Sequence, residues 1–385
     1  MSYNNIITVS HHEAANIILA ETKGATVHVS GEPGIGKTQL ERILMARTGY
    51  RAVRIDAPSK FDTSDFGSFV PNRDLRVIEF WGSPYYAWES DAPHLYNLDE
   101  LSKAANAVKT MLHGLLDWPR RIGDILINPE SIVYSTGNLG TDGVGDAKLA
   151  HTQGRITEVY LRKPNSEQWI QWGVVNGVNP IVLAWADREP TILASYLDSG
   201  QENNQFIFNP KRASSSINKA YVSPRSLFKA SCYVTAFEEG RLAEHELLAA
   251  LQGCIGGAGA GSLSAFVAVA HEVPSPREIA RTPGMAKVPM QPGAVAMTAL
   301  GALQWVNEIV QKRQTIDDMT KGEVVNAWLT YFVRLPKEAQ SLFMVTAQKG
   351  GDTRTGTREG IELWEAITQN PKYGPWAQAN MHMFK

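Results

Sequence analysis

Hydrophobic and polar residues alternate in two different periods along the first 163 residues. Short apolar or β-branched runs predict strands at 25–30, 50–56, 94–99, 132–136 and 155–160. Stretches with helical periodicity predict helices after Ser10, at 39–47 and at 101–116. Strands that alternate with helices are typical of an α/β fold, so the first part of the chain is predicted to be an α/β domain.

From residue 166 onward the pattern is helical. It predicts helices at 166–176, 180–188, 192–197, 243–252, 262–270, 294–312, 322–332, 336–346 and 358–368, and one that Ser223 and Pro224 open. The glycine-rich stretch 253–261 predicts a flexible break, and prolines at 274–289 predict a linker. We therefore expect three domains: an α/β domain at 1–163 and two helical domains at 164–270 and 271–385.

An insertion at 61–89 is rich in glycine, proline and aromatic residues, and its segment 75–81 is predicted to form one arm of a hairpin. The aromatic residues are Phe66, Phe69, Phe80, Trp81, Tyr85, Tyr86 and Trp88. They are consistent with a loop that grips a substrate. Packing of the insertion onto its own domain is favoured for most of them, because exposed aromatic side chains are few in most proteins.

Ser10 is positioned to cap the first predicted helix. His11 and His12 follow it directly. Adjacent side chains on a helix do not face one ligand together. A solvated helix start is therefore expected there rather than a metal site.

The chain has 385 residues and a net charge of −2, so composition gives no sign of a nucleic-acid binder. Arg120-Arg121 and Lys211-Arg212 are its most obvious basic pairs. The two cysteines, Cys232 and Cys254, match no metal or redox spacing, which suits a reducing compartment. The sequence start lacks a signal-peptide pattern, and no apolar run was found to approach ~20 residues. A soluble protein of the cytoplasm, with no membrane partner, is expected.

The most informative motif lies between the first predicted strand and helix. Gly31, four further residues, Gly36, Lys37 and Thr38 form the P-loop pattern. Glycines allow a tight turn whose backbone N–H groups cradle phosphate oxygens, and the following helix adds its positive dipole end. The lysine reaches the β- and γ-phosphates and the threonine hydroxyl ligates Mg²⁺. The predicted nucleotide-binding residues are Gly31, Glu32, Pro33, Gly34, Ile35, Gly36, Lys37, Thr38 and Gln39.

About 60 residues later the apolar strand 94–99 ends in Asp99 and Glu100. This is a Walker B pattern, and its position after a P-loop makes it specific. Asp99 is predicted to hold Mg²⁺ through its water shell. Glu100 is predicted to orient and polarise the attacking water.

Three further polar residues are candidates whose roles the residues alone leave open. Asn138 follows the strand 132–136 and is either a contact to the attacking water or γ-phosphate, or a turn asparagine. Arg155 precedes the next strand and is either directed at a neighbouring subunit or a solvated surface residue. Arg225 lies on the first turn of the helix that Ser223 and Pro224 open.

The order of these motifs resembles that of AAA+ ATPases, most closely the MoxR branch in the form often found in phage and prophage genomes. The resemblance spans roughly residues 8–270. It implies a P-loop domain with a parallel sheet flanked by helices, followed by an all-α lid at 164–270 and a helical C-terminal extension at 271–385. It also implies that 61–89 is the helix-2 insertion and 122–131 the pre-sensor hairpin, both on the pore side of a ring.

Residue by residue, the resemblance implies that Asn138 is sensor 1 and Arg225 sensor 2. It implies that Arg155 is an arginine finger that acts in trans. The aspartate that usually precedes the finger is Gly154 here, so Arg162 is the second candidate. Sensor 1 lies in the sequence STGN instead of the more common alanine–threonine–asparagine–proline form.

The resemblance further implies ATP or ADP and Mg²⁺ as cofactors and a homo-hexameric ring that remodels a protein client. The family often works with a von Willebrand factor A-domain partner, which would be a separate chain. Two alternatives stay open: a motor or loader that acts on nucleic acid, and a nucleotide-dependent switch with little turnover. The intact Asp99–Glu100 pair argues against the switch.

Overall fold

The computed structural model describes residues 7–20, 26–139, 154–210, 220–311, 316–349, 363–371 and 373–380. The chain forms two compact units, Met1–Lys163 and Pro164–Lys385. The first unit has the α/β architecture of a P-loop domain, and the second is built almost entirely of helices.

The first unit contains ten described strands. They are β1 Thr8–Val9, β2 Thr26–Gly31, β3 Arg51–Asp56, β4 Gly67–Asn72, β5 Val77–Gly82, β6 His94–Asp99, β7 Arg121–Ile122, β8 Ile125–Leu126, β9 Ile132–Asn138 and β10 Ile156–Leu161. Six of them form one sheet in the order β1-β10-β2-β9-β6-β3, and every neighbouring pair is parallel. The carboxyl ends of these strands therefore meet at one edge of the sheet. The predicted strands and the parallel sheet are confirmed.

Three α-helices are described in this unit: α1 His11–Ala20, α2 Gln39–Thr48 and α3 Asn106–Leu112. Ser10 caps α1, since its Oγ accepts from the backbone N–H of Glu13 at 3.3 Å. The prediction of one helix over 101–116 is wrong. Leu101–Lys103 and His113–Leu115 are 3₁₀ turns, and Ala104 and Ala105 take a backbone conformation with ψ near 150° that interrupts the helix.

Side chains that alternate along each strand pack against different layers on the two faces of the sheet. On β6, Leu95 belongs to a core with Ile18 of α1 and Leu44 of α2. Its neighbour Tyr96 belongs to a second core that includes Trp88 of the insertion. The sheet is thus covered on both faces at β6, where every residue from His94 to Leu98 is buried.

The insertion forms an antiparallel hairpin of β4 and β5 in which Phe69 lies opposite Phe80. Phe66, Phe80, Tyr86 and Trp88 are buried in the second core. Phe69, Trp81 and Tyr85 are exposed. Packing therefore accounts for one set of aromatic residues, and the other set faces solvent.

The second unit contains ten described helices. They are Ser166–Val175, Pro180–Arg188, Pro224–Glu238, Glu244–Val269, Pro276–Arg281, Pro292–Val310, Lys321–Phe332, Lys337–Lys349, Leu363–Thr368 and Gly374–Ala379. One hydrophobic core includes Trp185 from the predicted lid and Leu300 and Trp328 from the predicted extension. The division of this region at residue 270 stays a prediction.

Two predictions for the helical region are wrong. The segment 192–197 is no helix, since only the 3₁₀ turn Pro190–Leu193 lies there. The glycine-rich stretch 253–261 is helical and not a loop, apart from a kink at Gly256, whose φ is 79°. A Cβ at Gly256 would lie 2.6 Å from the carbonyl oxygen of Ala220, so the kink also needs glycine for space.

The segment Glu244–Arg281 has the length and apolar composition of a helix that could cross a membrane. The expectation that no segment meets this criterion is therefore wrong. Core helices of soluble proteins meet the same criterion, so one such segment is weak evidence for a membrane span.

Candidate nucleotide-binding site

The ends of β2, β9 and β6 bring the predicted motifs together at the carboxyl edge of the sheet. Gly31 of β2 is paired with Asn138 of β9, and Asp99 of β6 is paired with Thr136 of β9. Ligands of open parallel sheets bind outside this edge. The structure thus places the P-loop, the Walker B residues and Asn138 in one site.

The loop between β2 and α2 has the conformation that the P-loop pattern requires. Gly36 has a φ of 93°, a left-handed backbone that favours glycine. At Gly31 the constraint is space, because a Cβ there would lie 2.5 Å from Cδ1 of Ile35. The backbone of Gln39 donates to the carbonyl oxygen of Gly36 at 2.8 Å, which starts α2 directly after the loop.

Lys37 lies folded over this loop and connects it to β9. Its Nζ donates to the carbonyl oxygens of Gly31 at 2.8 Å and Glu32 at 3.0 Å. The same Nζ donates to Oδ1 of Asn138 at 2.8 Å. A compact ammonium group in this position is suited to bind phosphate oxygens placed against the loop.

Asn138 joins Lys37 to Glu100, the residue predicted to orient and polarise water. Its amide Nδ2 donates to Oε1 of Glu100 at 3.2 Å. Oε2 of Glu100 accepts from Nζ of Lys103 at 2.8 Å. Lys37, Asn138 and Glu100 therefore form one continuous chain of side-chain contacts, with Asn138 in the middle.

The backbone of Glu100 has a φ of 52°, the left-handed region that residues other than glycine seldom occupy. Such strain is concentrated at functional sites, where the surrounding structure holds it. Here the end of β6 and the 3₁₀ turn Leu101–Lys103 fix the backbone on either side. The turn aims the Glu100 carboxylate at Asn138.

Asp99 is held by side chains from both strands that flank β6. Its Oδ2 forms an ion pair with the guanidinium of Arg54 on β3, and its Oδ1 accepts a hydrogen bond from Thr136 on β9. Although burial opposes it, the attraction of Asp99 raises the pKa of Arg54 above its ordinary value. Sequence reasoning missed Arg54, because only the pairing of β3 with β6 places it beside Asp99.

The residues present fit a nucleotide-bound Mg²⁺ ion. Thr38 makes no side-chain capping bond to α2, so its hydroxyl is not committed to the helix. Asp99 is a carboxylate at the same edge, and hydroxyl and carboxylate oxygens are the ligands that Mg²⁺ prefers. The described residues contain no cluster of three or more histidine, cysteine or acidic side chains that could hold a metal without nucleotide.

The environment of His11 also differs from the sequence expectation of a solvated helix start. Its Nε2 lies 3.2 Å from the carbonyl oxygen of Gly36, so the side chain contacts the P-loop and is only partly exposed. Burial lowers the pKa of His11 to about 4, against the opposing effect of the hydrogen bond to Gly36. No sequence signal distinguishes it from His12, because the contact joins α1 to a loop 25 residues away.

The unusual sequence before Asn138 has a packing explanation. A Cβ at Gly137 would lie 2.9 Å from Nε2 of His28, which is buried on β2. The His28 ring is fixed because its Nδ1 lies 2.7 Å from Oγ of Ser135. A side chain larger than glycine therefore does not fit at position 137.

The two arginine-finger candidates lie at opposite ends of strand β10. Arg155 precedes β10, and its carbonyl oxygen accepts from Thr26 at the amino end of β2. Its guanidinium pairs with Asp117. Five residue steps of about 3.3 Å separate Thr26 from Gly31, so Arg155 is about 16 Å from the edge that carries its own P-loop. Arg162 follows β10 and is exposed at the carboxyl edge.

Arg225 belongs to the second unit. It is exposed on the first turn of Pro224–Glu238, where Ser223 forms the predicted cap by accepting from Ser226. The helix start is confirmed, and the role of Arg225 as sensor 2 stays a prediction.

No known protein-family model matches this chain. The RuvB Holliday junction branch migration motor from Thermotoga maritima is similar in structure, with a TM-score of 0.35 at 14% sequence identity over 71% of this chain and 72% of that chain. A putative ATPase from Cytophaga hutchinsonii has a TM-score of 0.31 at 15% identity over 65% of this chain and 82% of that chain. These scores are too low to carry an argument about function, which therefore rests on the site itself.

Proposed function

We propose that this chain is a Mg²⁺-dependent ATPase of the AAA+ type that acts in a ring, expected to be a hexamer, and remodels a protein partner. The observation that carries the proposal is the chain of contacts from Lys37 through Asn138 to Glu100. It joins the group suited to bind the γ-phosphate to the group suited to orient water. Both are at the carboxyl edge of one parallel sheet.

Each residue has a defined task in this proposal. The backbone of Gly31–Gln39 and the Lys37 ammonium bind and orient the phosphates of ATP. Thr38 and Asp99 hold Mg²⁺, which neutralises charge on the phosphates when it is bound. Glu100 accepts a proton from the attacking water. Asn138 holds the side chains of Glu100 and Lys37 in position relative to each other. Hydrolysis of this kind needs positioning and charge stabilisation more than covalent chemistry.

Assembly into a ring is supported by the position of Arg155. Arg155 lies at the end of β10 away from its own P-loop, which supports a role at a nucleotide on another subunit. An arginine supplied in trans is worth about 10³–10⁵ in rate in related systems. ATP hydrolysis would then depend on assembly.

A protein client is supported by the apolar side chains that the β4–β5 hairpin exposes. Phe69 and Ile78 are exposed on the face that also carries the buried Phe80, and Val77 and Trp81 are exposed on the other face. Exposed apolar patches mark interaction sites. In the MoxR-like proposal this surface contacts the client, and a von Willebrand factor A-domain protein on a separate chain is the expected partner.

A motor that acts on nucleic acid is the second candidate, favoured by one cavity of about 450 Å³ beside β3. Arg51, Lys60 and the exposed Tyr85 contribute to its lining, and basic groups interleaved with aromatic rings suit single-stranded nucleic acid. The basic pair 120–121 adds little, because Arg120 is buried against Leu115. The pair 211–212 lies outside the described residues.

The proposal is tested by the ATPase rate per subunit at increasing protein concentration, for the wild type and Glu100→Gln. We expect a rate that rises with concentration and is lost in Glu100→Gln, while nucleotide binding is kept. A control variant is Glu130→Gln, which removes an exposed carboxylate from the loop before β9. Wild-type protein with no Mg²⁺-dependent hydrolysis at any concentration would contradict the proposal.

The same assay separates the two candidate partners. Single-stranded and duplex DNA are added at low salt, and Trp81→Ser is compared with the wild type. A rate raised by DNA, with binding that weakens as salt increases, would favour the motor. No DNA effect, together with loss of client-stimulated hydrolysis in Trp81→Ser, would favour protein remodelling.

A further inference from the structure

Asp99 makes a contact that the chemistry assigned to it above does not require. Thr136 binds one carboxylate oxygen and Arg54 pairs with the other. Threonine is neutral and leaves the charge of the carboxylate intact. Arg54 brings a full positive charge to the oxygen that faces β3.

The surroundings of this pair show that Arg54 is the cation that pairs with Asp99. Asp99 is 14% exposed and Arg54 is 43% exposed, so the carboxylate is enclosed and the arginine reaches it from the more open side. The other charged groups that act on Arg54 are Glu41 of α2 and Asp56 of β3, both acidic. Lys37 and Lys103 are bound to Asn138 and Glu100 instead.

A cation already paired with a carboxylate weakens its attraction for a second cation. Like charges a few ångströms apart repel, and this effect is strong where the carboxylate is enclosed. The hydrogen bond from Arg54 also fixes the carboxylate, and this would raise the affinity of the carboxylate for Mg²⁺. Such a bond contributes less than the repulsion between the guanidinium and a divalent ion. Thr136 supplies such a bond without charge.

From this geometry we infer that Arg54 competes with Mg²⁺ for Asp99 and so sets the Mg²⁺ concentration at which nucleotide is bound tightly. The inference rests on the proposed function. It means that a residue of the edge strand β3 controls the affinity of the site for Mg²⁺. Because Arg54 is half-exposed, its guanidinium can turn toward solvent or Asp56 when the hydrated metal ion binds the carboxylate.

The test is a titration of Mg²⁺ into full-length protein with a fluorescent ADP analogue, read as nucleotide binding and not as activity. Arg54→Met removes the charge and keeps an apolar stem. We expect its Mg²⁺ midpoint to be about tenfold lower than that of the wild type. Arg54→Lys keeps the charge and should have a midpoint near that of the wild type.

Arg51→Met is the matched control. Arg51 is an exposed arginine on the same strand, lines the same cavity and is not paired with Asp99. Its loss should leave the midpoint unchanged, which excludes a general effect of net charge. Mn²⁺ binding followed by electron paramagnetic resonance gives a second measurement of metal affinity for every variant.

The outcomes separate the inference from the function on which it rests. A midpoint that is unchanged or higher in Arg54→Met would overturn the inference, and a higher one would mean that Arg54 only orients the carboxylate. Nucleotide affinity without metal, measured in chelator, shows whether each variant is folded, and Arg54→Gln replaces Arg54→Met if that variant is not. Wild-type protein that binds no nucleotide would overturn both.

Discussion

Oδ1 of Asn138 accepts a hydrogen bond from Nζ of Lys37 at 2.8 Å, although 101 residues separate them in the chain. The same asparagine donates to Glu100. In Asn138→Ala both contacts are lost, so water and γ-phosphate are no longer aligned. We expect turnover to fall about 10²-fold while nucleotide binding is kept, measured by steady-state hydrolysis and by binding of a fluorescent nucleotide.

Asn106→Ala is the control for this prediction, since Asn106 is an exposed asparagine at the start of α3. It should hydrolyse ATP at the wild-type rate. If Asn138 were only a turn asparagine, Asn138→Ala would also hydrolyse ATP at the wild-type rate. That result would contradict the assignment of Asn138 as sensor 1.

The opposite positions of Arg155 and Arg162 predict different effects of their loss. Arg155→Ala should lower the rate of the assembled protein about 10³-fold if, as proposed, its charge is supplied to a neighbouring site in the ring. Arg162→Ala should have little effect. Mixing Arg155→Ala with Glu100→Gln should restore part of the activity, because one subunit of a pair can still complete a site. The reverse ranking of the two arginine variants would show that the finger is Arg162.

Gly137→Ala should destabilise the first unit. Its Cβ would lie 2.9 Å from Nε2 of His28, whose ring is fixed by Ser135. Overpacking of this kind costs about 1–3 kcal/mol of unfolding free energy, so a lower apparent Tm is expected in thermal unfolding. Gly253→Ala is the control, because a Cβ there meets nothing within 4 Å and alanine favours the helix. Equal apparent Tm values would contradict the packing explanation.

His11 predicts a loss of stability in acid. Burial lowers its pKa to about 4, below the value of about 6.5 for an unfolded chain. As pH falls, the unfolded state takes up the proton first, so the stability present above about pH 6.5 is lost as pH approaches about 4. For a partly buried group this amounts to about 1–3 kcal/mol.

The measurement is the apparent Tm between about pH 7 and about pH 5. His11→Gln should lose less stability over this range than the wild type, since glutamine does not take up a proton. His245→Gln, which changes an exposed histidine at the start of Glu244–Val269, should behave like the wild type. A His11→Gln profile parallel to that of the wild type would show that His11 does not titrate in this way.

Most elements of the first unit could be predicted from sequence, because their signals are local. Neighbouring residues are enough to predict the strand, loop and helix around Gly31 and Lys37. The same holds for the apolar strand that ends in Asp99. The errors arose where local signals compete. The glycines of 253–261 read as a loop, yet all but Gly256 fit a helix whose buried face includes Leu251 and Ile255.

By itself the sequence determined which residues are candidates for phosphate binding and water activation, since both need fixed residue types at fixed spacing along the chain. Only the tertiary structure decided which of them meet. Strand pairing joins Asn138 to Lys37, brings Arg54 onto Asp99 and places His11 against the P-loop. These contacts depend on strand order and register, which follow from long-range packing of the whole unit and not from any single segment.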